Sequence, residues 1–412
     1  MTPARRVSAD FLAGFRACCL PHGMILLLPA IQYGLNYFAS LAAVLFGLLA
    51  WHTRMRAQPL PTVLVVLAFS LSLLWATIYL PDAPNLLREF RLGAGLLLLF
   101  WLLAGTPRYD LDHFDGRWPL LIMGCLTFFV IAQALAAKKG IALYMPKSIF
   151  INSGDISLAS SWVEHAKEHG YDWVIRPSAG FSEPSYLGGV SVVLNFICLH
   201  TLKGRKQWAA TGLALVACAV SQTFYGLLSN LIITGAFHHR RIDKVAVVIV
   251  GMLTLLLLAL PIFAAEPGRL QNILSGNDVS AGLRITQPFE LLGYLLAHAP
   301  FGVPLTIAPG YFQQQGLIEA FEDGPFHNGS LNLFFAYGWL GFPLIVMLLR
   351  TAGGGICALF VVLLMAQNGA PLDFDKIVMF TLAIQIARHH AHKVQASRVQ
   401  TAAWSFNEVT RE

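Results

Sequence analysis

Long apolar runs separated by short polar segments dominate this chain. The runs are continuous rather than alternating, which predicts helices, and several approach the roughly 20 residues that cross a bilayer. We predict an all-α, polytopic integral membrane protein with about 12 transmembrane helices. The predicted spans are 11–31, 35–51, 60–80, 92–105, 118–136, 184–202, 208–220, 224–237, 245–265, 331–349, 353–367 and 376–388.

Two parts of this pattern are weakly defined. The region 208–237 also fits one bent or interrupted hairpin. The last span, 376–388, is only about 18 Å long at 1.5 Å per residue, which is shorter than the hydrocarbon core of a bilayer, about 30 Å. Whether this span crosses completely is open at the level of sequence.

Lysine and arginine residues cluster in alternate short loops, and this sets the orientation. Both termini are predicted to be cytoplasmic, with two long loops, 137–183 and 266–330, on the outer side. Residues 389–412 are then a cytoplasmic tail, and the whole chain is one membrane domain. Loops of this length are usually functional, and their aromatic residues predict that they pack against the membrane domain.

Composition narrows the class of protein. Of the 412 residues, 56% are hydrophobic and only 12% are charged, whereas soluble proteins carry roughly 25% charged residues. The net charge of +6 comes from basic residues at the ends of apolar runs, so it indicates membrane topology and not nucleic-acid binding.

Two polar segments on the outer side lead directly into apolar runs. Residues 176–189 place Arg176 and Glu183 seven positions apart with Pro and Gly between them, and residues 326–330 contain His327. Charged groups cost several kcal/mol wherever water cannot reach them, so near a bilayer they are usually functional. If both segments lie on the same side of the membrane, they can form one site together.

Arginine suits a diphosphate ligand because its guanidinium group makes permanently charged, bidentate contacts with phosphate. We predict that outer-side arginines bind such a ligand at the depth of the lipid head groups; the candidates are Arg88, Arg91, Arg176 and Arg284. Structural alternatives exist. Arg176 can form a salt bridge with Glu183, Arg284 can snorkel to the interface, and Arg88 and Arg91 can be interfacial anchors.

His327 is the best candidate for general acid–base catalysis, because the unperturbed pKa of histidine, about 6.5, is near working pH. Glu183 is the alternative proton acceptor. Asn328 and Tyr186 lie in the same two segments and are predicted supporting residues. A lone histidine is more often a structural hydrogen-bonding residue, so the catalytic interpretation depends on these neighbours.

The usual nucleotide-binding and zinc-protease motifs are absent. The sequence contains no Walker A loop, no Rossmann fingerprint and no His-Glu-x-x-His motif. The six cysteines lie in apolar runs without metal-ligand spacing. We therefore predict no cofactor and no metal, and we expect neither a nucleotide-powered pump nor a metal-dependent transferase.

The chain resembles the bacterial O-antigen ligase and polymerase superfamily over about residues 90–367. Four loose motifs in the expected order carry this resemblance. They are Arg176…Phe181-Ser-Glu-Pro-Ser185, Ser221-Gln-Thr-Phe-Tyr-Gly226, the Arg284…Pro300-Phe-Gly302 region, and His327-Asn328…Tyr337-Gly-Trp-Leu-Gly341.

The resemblance implies a GT-C-like helical glycosyltransferase of the bacterial inner membrane, active at its periplasmic face without a metal. Its implied donor is a glycan carried on undecaprenyl diphosphate. The glutamate at position 183 favours a polymerase of O-antigen or exopolysaccharide. The implied partners are that lipid-linked glycan, the lipid bilayer and, among proteins, a chain-length regulator or a flippase; no nucleic acid is expected.

Three alternatives remain open on the sequence. The first is an O-antigen ligase, which would transfer the finished polymer to lipid A-core. The second is a transporter or flippase of lipid-linked sugars, although the polar candidates lie in outer loops and not at the membrane midplane. The third is a structural partner in a biosynthetic complex. Neither the sugar repeat nor the linkage can be derived from these residues.

Overall fold

The computed structural model describes residues 20–34, 40–79, 86–137, 139, 141, 143, 177–181, 184–239, 287–318, 329–367 and 373–409. Within these ranges the chain is predominantly helical, as predicted. The helices are α1 (Leu20–Ala30), α2 (Leu41–Trp51), α3 (Pro59–Tyr79), α4 (Leu86–Ala104), α5 (Arg117–Ala137), α6 (Pro184–Thr201), α7 (Arg205–Val220), α8 (Phe224–Phe237), α9 (Gln287–His298), α10 (Ala308–Gln314), α11 (Gly329–Tyr337), α12 (Gly341–Thr351), α13 (Gly355–Gln367) and α14 (Phe374–Val409). One short strand, β1 (Thr53–Arg54), pairs antiparallel with another, β2 (Thr106–Pro107).

Three helical stretches in these ranges are long and apolar enough to cross a membrane, namely Pro59–Tyr79, Arg117–Ala136 and Leu331–Thr351. On α3, large apolar side chains such as Val63 and Leu74 are more than half exposed, which is expected of a face that contacts lipid. The protein is therefore a helical membrane protein. The predicted span 245–265 lies outside the described residues, and the count of twelve spans stays a prediction.

Helix α14 runs through the centre of the bundle. It packs against α2, α4, α6 and α13, and every residue from 376 to 387 is buried. Three of its buried side chains are polar or charged: Lys376, Thr381 and Gln385. Gln385 accepts a hydrogen bond from the Tyr109 hydroxyl and donates to the Leu102 carbonyl. These polar groups lower the apparent hydropathy of a helix that faces protein and not lipid.

Helix α14 is also far longer than the predicted last span. At 1.5 Å per residue, the 36 residues of α14 measure about 54 Å. No glycine or proline interrupts the chain between 374 and 409, so the helix continues through residues that the apolar pattern assigns to a tail. Helix α14 is thus long enough to cross a bilayer, which the apolar run alone is not.

Helices α6, α7 and α8 are joined by buried polar side chains. Asn195 on α6 donates to the Asn230 carboxamide oxygen on α8 (3.0 Å), and Thr211 on α7 donates to Asn195 (3.1 Å). Asn230 in turn donates to the Ser191 hydroxyl at 3.0 Å. Since lipid offers no competing partners, such bonds fix how helices pack in a membrane.

The region 208–237, weakly defined in the sequence, forms two separate helices with a tight turn between them. At that turn Gln222 adopts a positive φ of 56°. The hydroxyl groups of Ser221 and Thr223 both donate to the Cys218 carbonyl, each at 3.2 Å. The first residues of the Ser221–Gly226 motif therefore end α7 and start α8.

A helical hairpin, α9–α10, packs against α11 and against the break between α11 and α12. The two hairpin helices are linked by a hydrogen bond from the Tyr294 hydroxyl to Gln315 at 2.9 Å. Leu295, Phe312 and Phe335 are fully buried in a shared apolar cluster. Residues 287–318 thus pack into the bundle; the prediction of a second long loop on the outer side, 266–330, stays a prediction.

The loop of this hairpin exchanges backbone hydrogen bonds with the broken helix. The Val303 N–H donates to the Phe335 carbonyl (2.7 Å), and the Trp339 N–H donates to the Pro300 carbonyl (3.0 Å). In an unbroken helix Trp339 would donate to Phe335. The loop therefore replaces one helical bond with two, which satisfies backbone groups near the middle of the 331–351 stretch, where water is excluded.

Charged side chains connect the ends of helices that the loop charges assign to the cytoplasmic side. The Arg388 guanidinium donates to the Leu103 carbonyl (2.5 Å) and to the Thr351 carbonyl. Near it, Lys393 donates to the Asp112 carboxylate at 3.1 Å, and this contact lowers the pKa of Asp112. These bonds hold α4, α12 and the 106–117 loop against α14. Sidedness itself stays a prediction.

We predict that Gly338→Ala destabilises the protein more than Gly354→Ala. Both glycines have a positive φ, 55° and 67°, which costs an alanine about 1–2 kcal/mol. A Cβ at Gly338 would also collide with the Pro300 carbonyl, whereas one at Gly354 meets nothing within 4 Å. The collision adds about 1–3 kcal/mol. Melting temperatures of the purified variants measure the difference, and equal shifts would contradict the interlocked loop.

Candidate functional site

Most of the predicted site residues lie outside the part of the chain that the structure describes. These are Arg176, Glu183, Arg284, His327 and Asn328. Arg88 lies within α4, but its side chain is not described. Arg91 and Tyr186 are described with their side chains.

The two predicted site segments lead into helices at described positions. Helix α6 begins at Pro184, directly after Glu183, and α11 begins at Gly329, directly after Asn328. Proline is favoured in the first turn of a helix because its fixed φ suits the helix and no N–H is needed there. The predicted catalytic residues thus immediately precede two helices of the bundle.

The backbone that follows Arg176 is held by side chains from two other helical regions. The Gln133 side-chain oxygen on α5 accepts hydrogen bonds from the N–H groups of Ser178 (3.1 Å) and Ala179 (2.7 Å). The Tyr33 hydroxyl, just after α1, donates to the Gly180 carbonyl at 2.8 Å. Burial raises the pKa of Tyr33 and keeps it a donor. Residues 177–181 are therefore fixed against the bundle.

Tyr186 connects this loop to the central helix. Its ring lies 5.5 Å from the Phe181 ring, and its hydroxyl donates to the Asp375 carboxylate in the first turn of α14. The Lys376 ammonium lies 4.9 Å from the centroid of the same ring, a cation–π contact. Tyr186 and Lys376 are only 4% and 3% exposed. The predicted supporting residue is thus at the centre of a buried polar cluster.

Arg91 forms an ion pair that its sequence context did not predict. Its guanidinium lies 3.3 Å from the Asp373 carboxylate, with both side chains about one-third exposed. Asp373 and Asp375 stand at the start of α14, where the helix dipole favours negative charge. Because a carboxylate already contacts Arg91, a phosphate would have to share or displace it. The diphosphate-binding role of Arg91 stays a prediction.

Glu89, between Arg88 and Arg91, is buried at 5% exposure. Its carboxylate accepts a hydrogen bond from the Thr306 N–H at 2.9 Å. This bond joins the first turn of α4 to the loop between α9 and α10. The same loop interlocks with the α11–α12 break, so α4 and α11 are positioned together.

The residues at the start of α14 were not predicted as site residues from the sequence. Asp373, Asp375 and Lys376 form the pattern Asp-Phe-Asp-Lys directly before an apolar run, which is the same kind of signal that singled out Arg176 and His327. An Asp-x-Asp pattern also suggests metal binding. In the structure Arg91 and Tyr186 contact these carboxylates, and the described residues contain no group of three or more potential metal ligands.

Part of the chain is similar to a known protein family. A family model described as WcaD colanic acid polymerase matches residues 163–363, nearly half of the chain. The matched range contains all four motifs that carry the resemblance, and the match agrees with that resemblance. No curated protein and no solved structure matches the chain.

We predict that the Arg91–Asp373 pair is energetically coupled. Arg91→Asp and Asp373→Arg should each lower the melting temperature, because each places like charges together, and the double variant should recover most of the loss. Partly exposed ion pairs contribute about 0.2–1 kcal/mol, so the shifts are small. Purely additive losses in the double variant would show that the pair does not interact in the membrane.

Proposed function

Since residues 163–363 match the family of WcaD colanic acid polymerases, we propose that this chain polymerises repeat units carried on undecaprenyl diphosphate. The product is an exopolysaccharide or O-antigen, made at the periplasmic face of a bacterial inner membrane. The match carries the proposal, because it encloses both segments that hold the predicted catalytic residues Glu183 and His327. It favours the polymerase over a ligase or a flippase.

In the proposed reaction the growing glycan moves from its lipid diphosphate to a new lipid-linked repeat unit. An acceptor hydroxyl attacks the anomeric carbon, and the bond from that carbon to the diphosphate oxygen breaks. His327 or Glu183 takes the proton of the attacking hydroxyl. A single displacement of this kind inverts the anomeric configuration. The diphosphate linkage itself supplies the driving force.

Arg176 and Arg284 stabilise the negative charge that builds up on the departing diphosphate. Charge-assisted hydrogen bonds from guanidinium groups are strong, and they are stronger still where water is excluded. Two permanent cations neutralise the leaving group, so the proposed step needs no metal. Arg88 and Arg91 at the start of α4 are further candidates for the same ligand.

The described surroundings support a preorganised site. Catalytic groups must be held by rigid neighbours to act on a transition state. Residues 177–181, which follow Arg176, are bonded to Gln133 and Tyr33. The helix that follows His327 and Asn328 is tied to the α9–α10 loop through Val303. Both site segments therefore adjoin fixed backbone.

We predict that Arg176→Ala and Arg284→Ala each reduce polymer formation by about 100-fold or more, the effect of removing one such charge-stabilising donor. Single lipid-linked repeat units should accumulate. Arg117→Ala is a matched control, since Arg117 is exposed at the start of α5, the end of that helix opposite to Gln133, and it should leave the polymer unchanged. The lipid-linked glycan profile of cells expressing each variant at equal membrane levels measures this.

Two outcomes of that experiment would contradict the proposal. Polymer of normal length in both arginine variants would remove the diphosphate-binding role of these residues. Long chains that remain on the lipid without attachment to lipid A-core would instead identify a ligase, which uses the same donor and a different acceptor.

A further inference from the structure

Lys376 is buried near the start of the central helix α14, where a charge is expensive to place. Only 3% of the residue is exposed. Lysine is almost never fully buried unless it is paired, and ionisable groups buried in membrane-spanning segments are usually functional. Its ammonium lies 4.9 Å from the centroid of the Tyr186 ring. The negative face of the ring partly compensates the positive charge.

The contacts of Tyr186 keep this lysine in one place. The tyrosine hydroxyl donates to Asp375, and the ring packs against Phe181. Asp373, on the other side of Phe374, is paired with Arg91. The aromatic ring under Lys376 is therefore fixed from two sides, by α14 itself and by the loop that leads into α6.

This cluster adjoins the segment to which the proposed function assigns the diphosphate. Tyr186 follows Glu183 by three residues on the same segment, and Phe181 precedes Glu183 by two. The ring beside Lys376 and the Phe181 ring that packs against it thus come from positions on either side of Glu183 in the sequence. Lys376 lies beyond the residues that match the polymerase family, so its role has to be inferred from its position alone.

We propose that Lys376 is a further cation of the diphosphate site, with Tyr186 and Asp375 as the residues that position it. This inference rests on the proposed function. An ammonium group acts on phosphate as a compact point charge. In a site from which water is largely excluded, that charge is weakly screened and acts over a longer distance than it would in solution.

The test measures how strongly the full-length protein in lipid nanodiscs binds three probes: undecaprenyl diphosphate, undecaprenyl monophosphate and undecaprenol. Lys376→Met should weaken diphosphate binding about 30-fold or more, the usual effect of removing one partner of a buried charge pair. Binding of the monophosphate should weaken less, and binding of undecaprenol should not change. Lys376→Arg, which keeps the charge, should stay within a few-fold of the unchanged protein.

Two further variants separate charge from structure. Tyr186→Phe keeps the ring but removes the bond to Asp375, so the preference for diphosphate over undecaprenol should fall only a few-fold. Lys393→Met is the matched control, because Lys393 lies on the same helix, exposed and paired with Asp112. It should leave the binding of all three probes unchanged.

Equal losses for diphosphate and undecaprenol in Lys376→Met would mean that the lysine only supports the fold, and this would overturn the inference. If Lys376→Met does not assemble, Lys376→Arg decides. Loss of the preference for diphosphate over undecaprenol in Lys376→Arg would also overturn the inference. If Arg176→Ala loses diphosphate binding and Lys376→Met does not, the inference about Lys376 fails while the proposed function stands. A protein that binds undecaprenol as tightly as the diphosphate would contradict both.

Discussion

The structure depends on a central helix that carries polar side chains through a membrane bundle. Along α14, Lys376, Thr381, Gln385 and Arg388 occur at intervals of three to five residues, and the first three are buried. Lipid supplies no hydrogen-bond partners, so protein groups have to do so. Gln385 binds Tyr109 and Leu102, and Arg388 binds Leu103 and Thr351. These bonds determine which helix ends lie beside α14.

The same constraint explains the interlocked loop. Where α11 ends at Tyr337, its carbonyl and N–H groups need new partners at a depth without water. The Pro300–Val303 backbone provides them, and Gly302 and Gly338 allow the two backbone segments to approach closely. Two motifs that are 35 or more residues apart in the sequence thus form one structural unit. This unit positions the start of α11, which directly follows His327 and Asn328.

Sequence alone predicts the lipid-facing helices well. The apolar runs 60–80 and 118–136 agree with α3 and α5 to within a residue, because side chains that contact lipid must be apolar. The sequence pattern underestimates the length of α14, because the polar residues of this helix face protein. It also could not predict the break at Gly338, since the stabilising bonds come from a distant loop. For the site, sequence identified Tyr186 but not its partners Asp375 and Lys376, whose relevance depends on packing. The roles of Arg176, Glu183, Arg284 and His327 remain predictions.

The central claim is that this membrane protein joins lipid-linked repeat units into a polymer. The lipid-linked glycans of a strain from which the protein is deleted test it most directly, with the strain carrying the intact chain as reference. The account predicts that only single repeat units accumulate on undecaprenyl diphosphate. Long glycans that accumulate on the lipid carrier, or a profile that does not change, would contradict it.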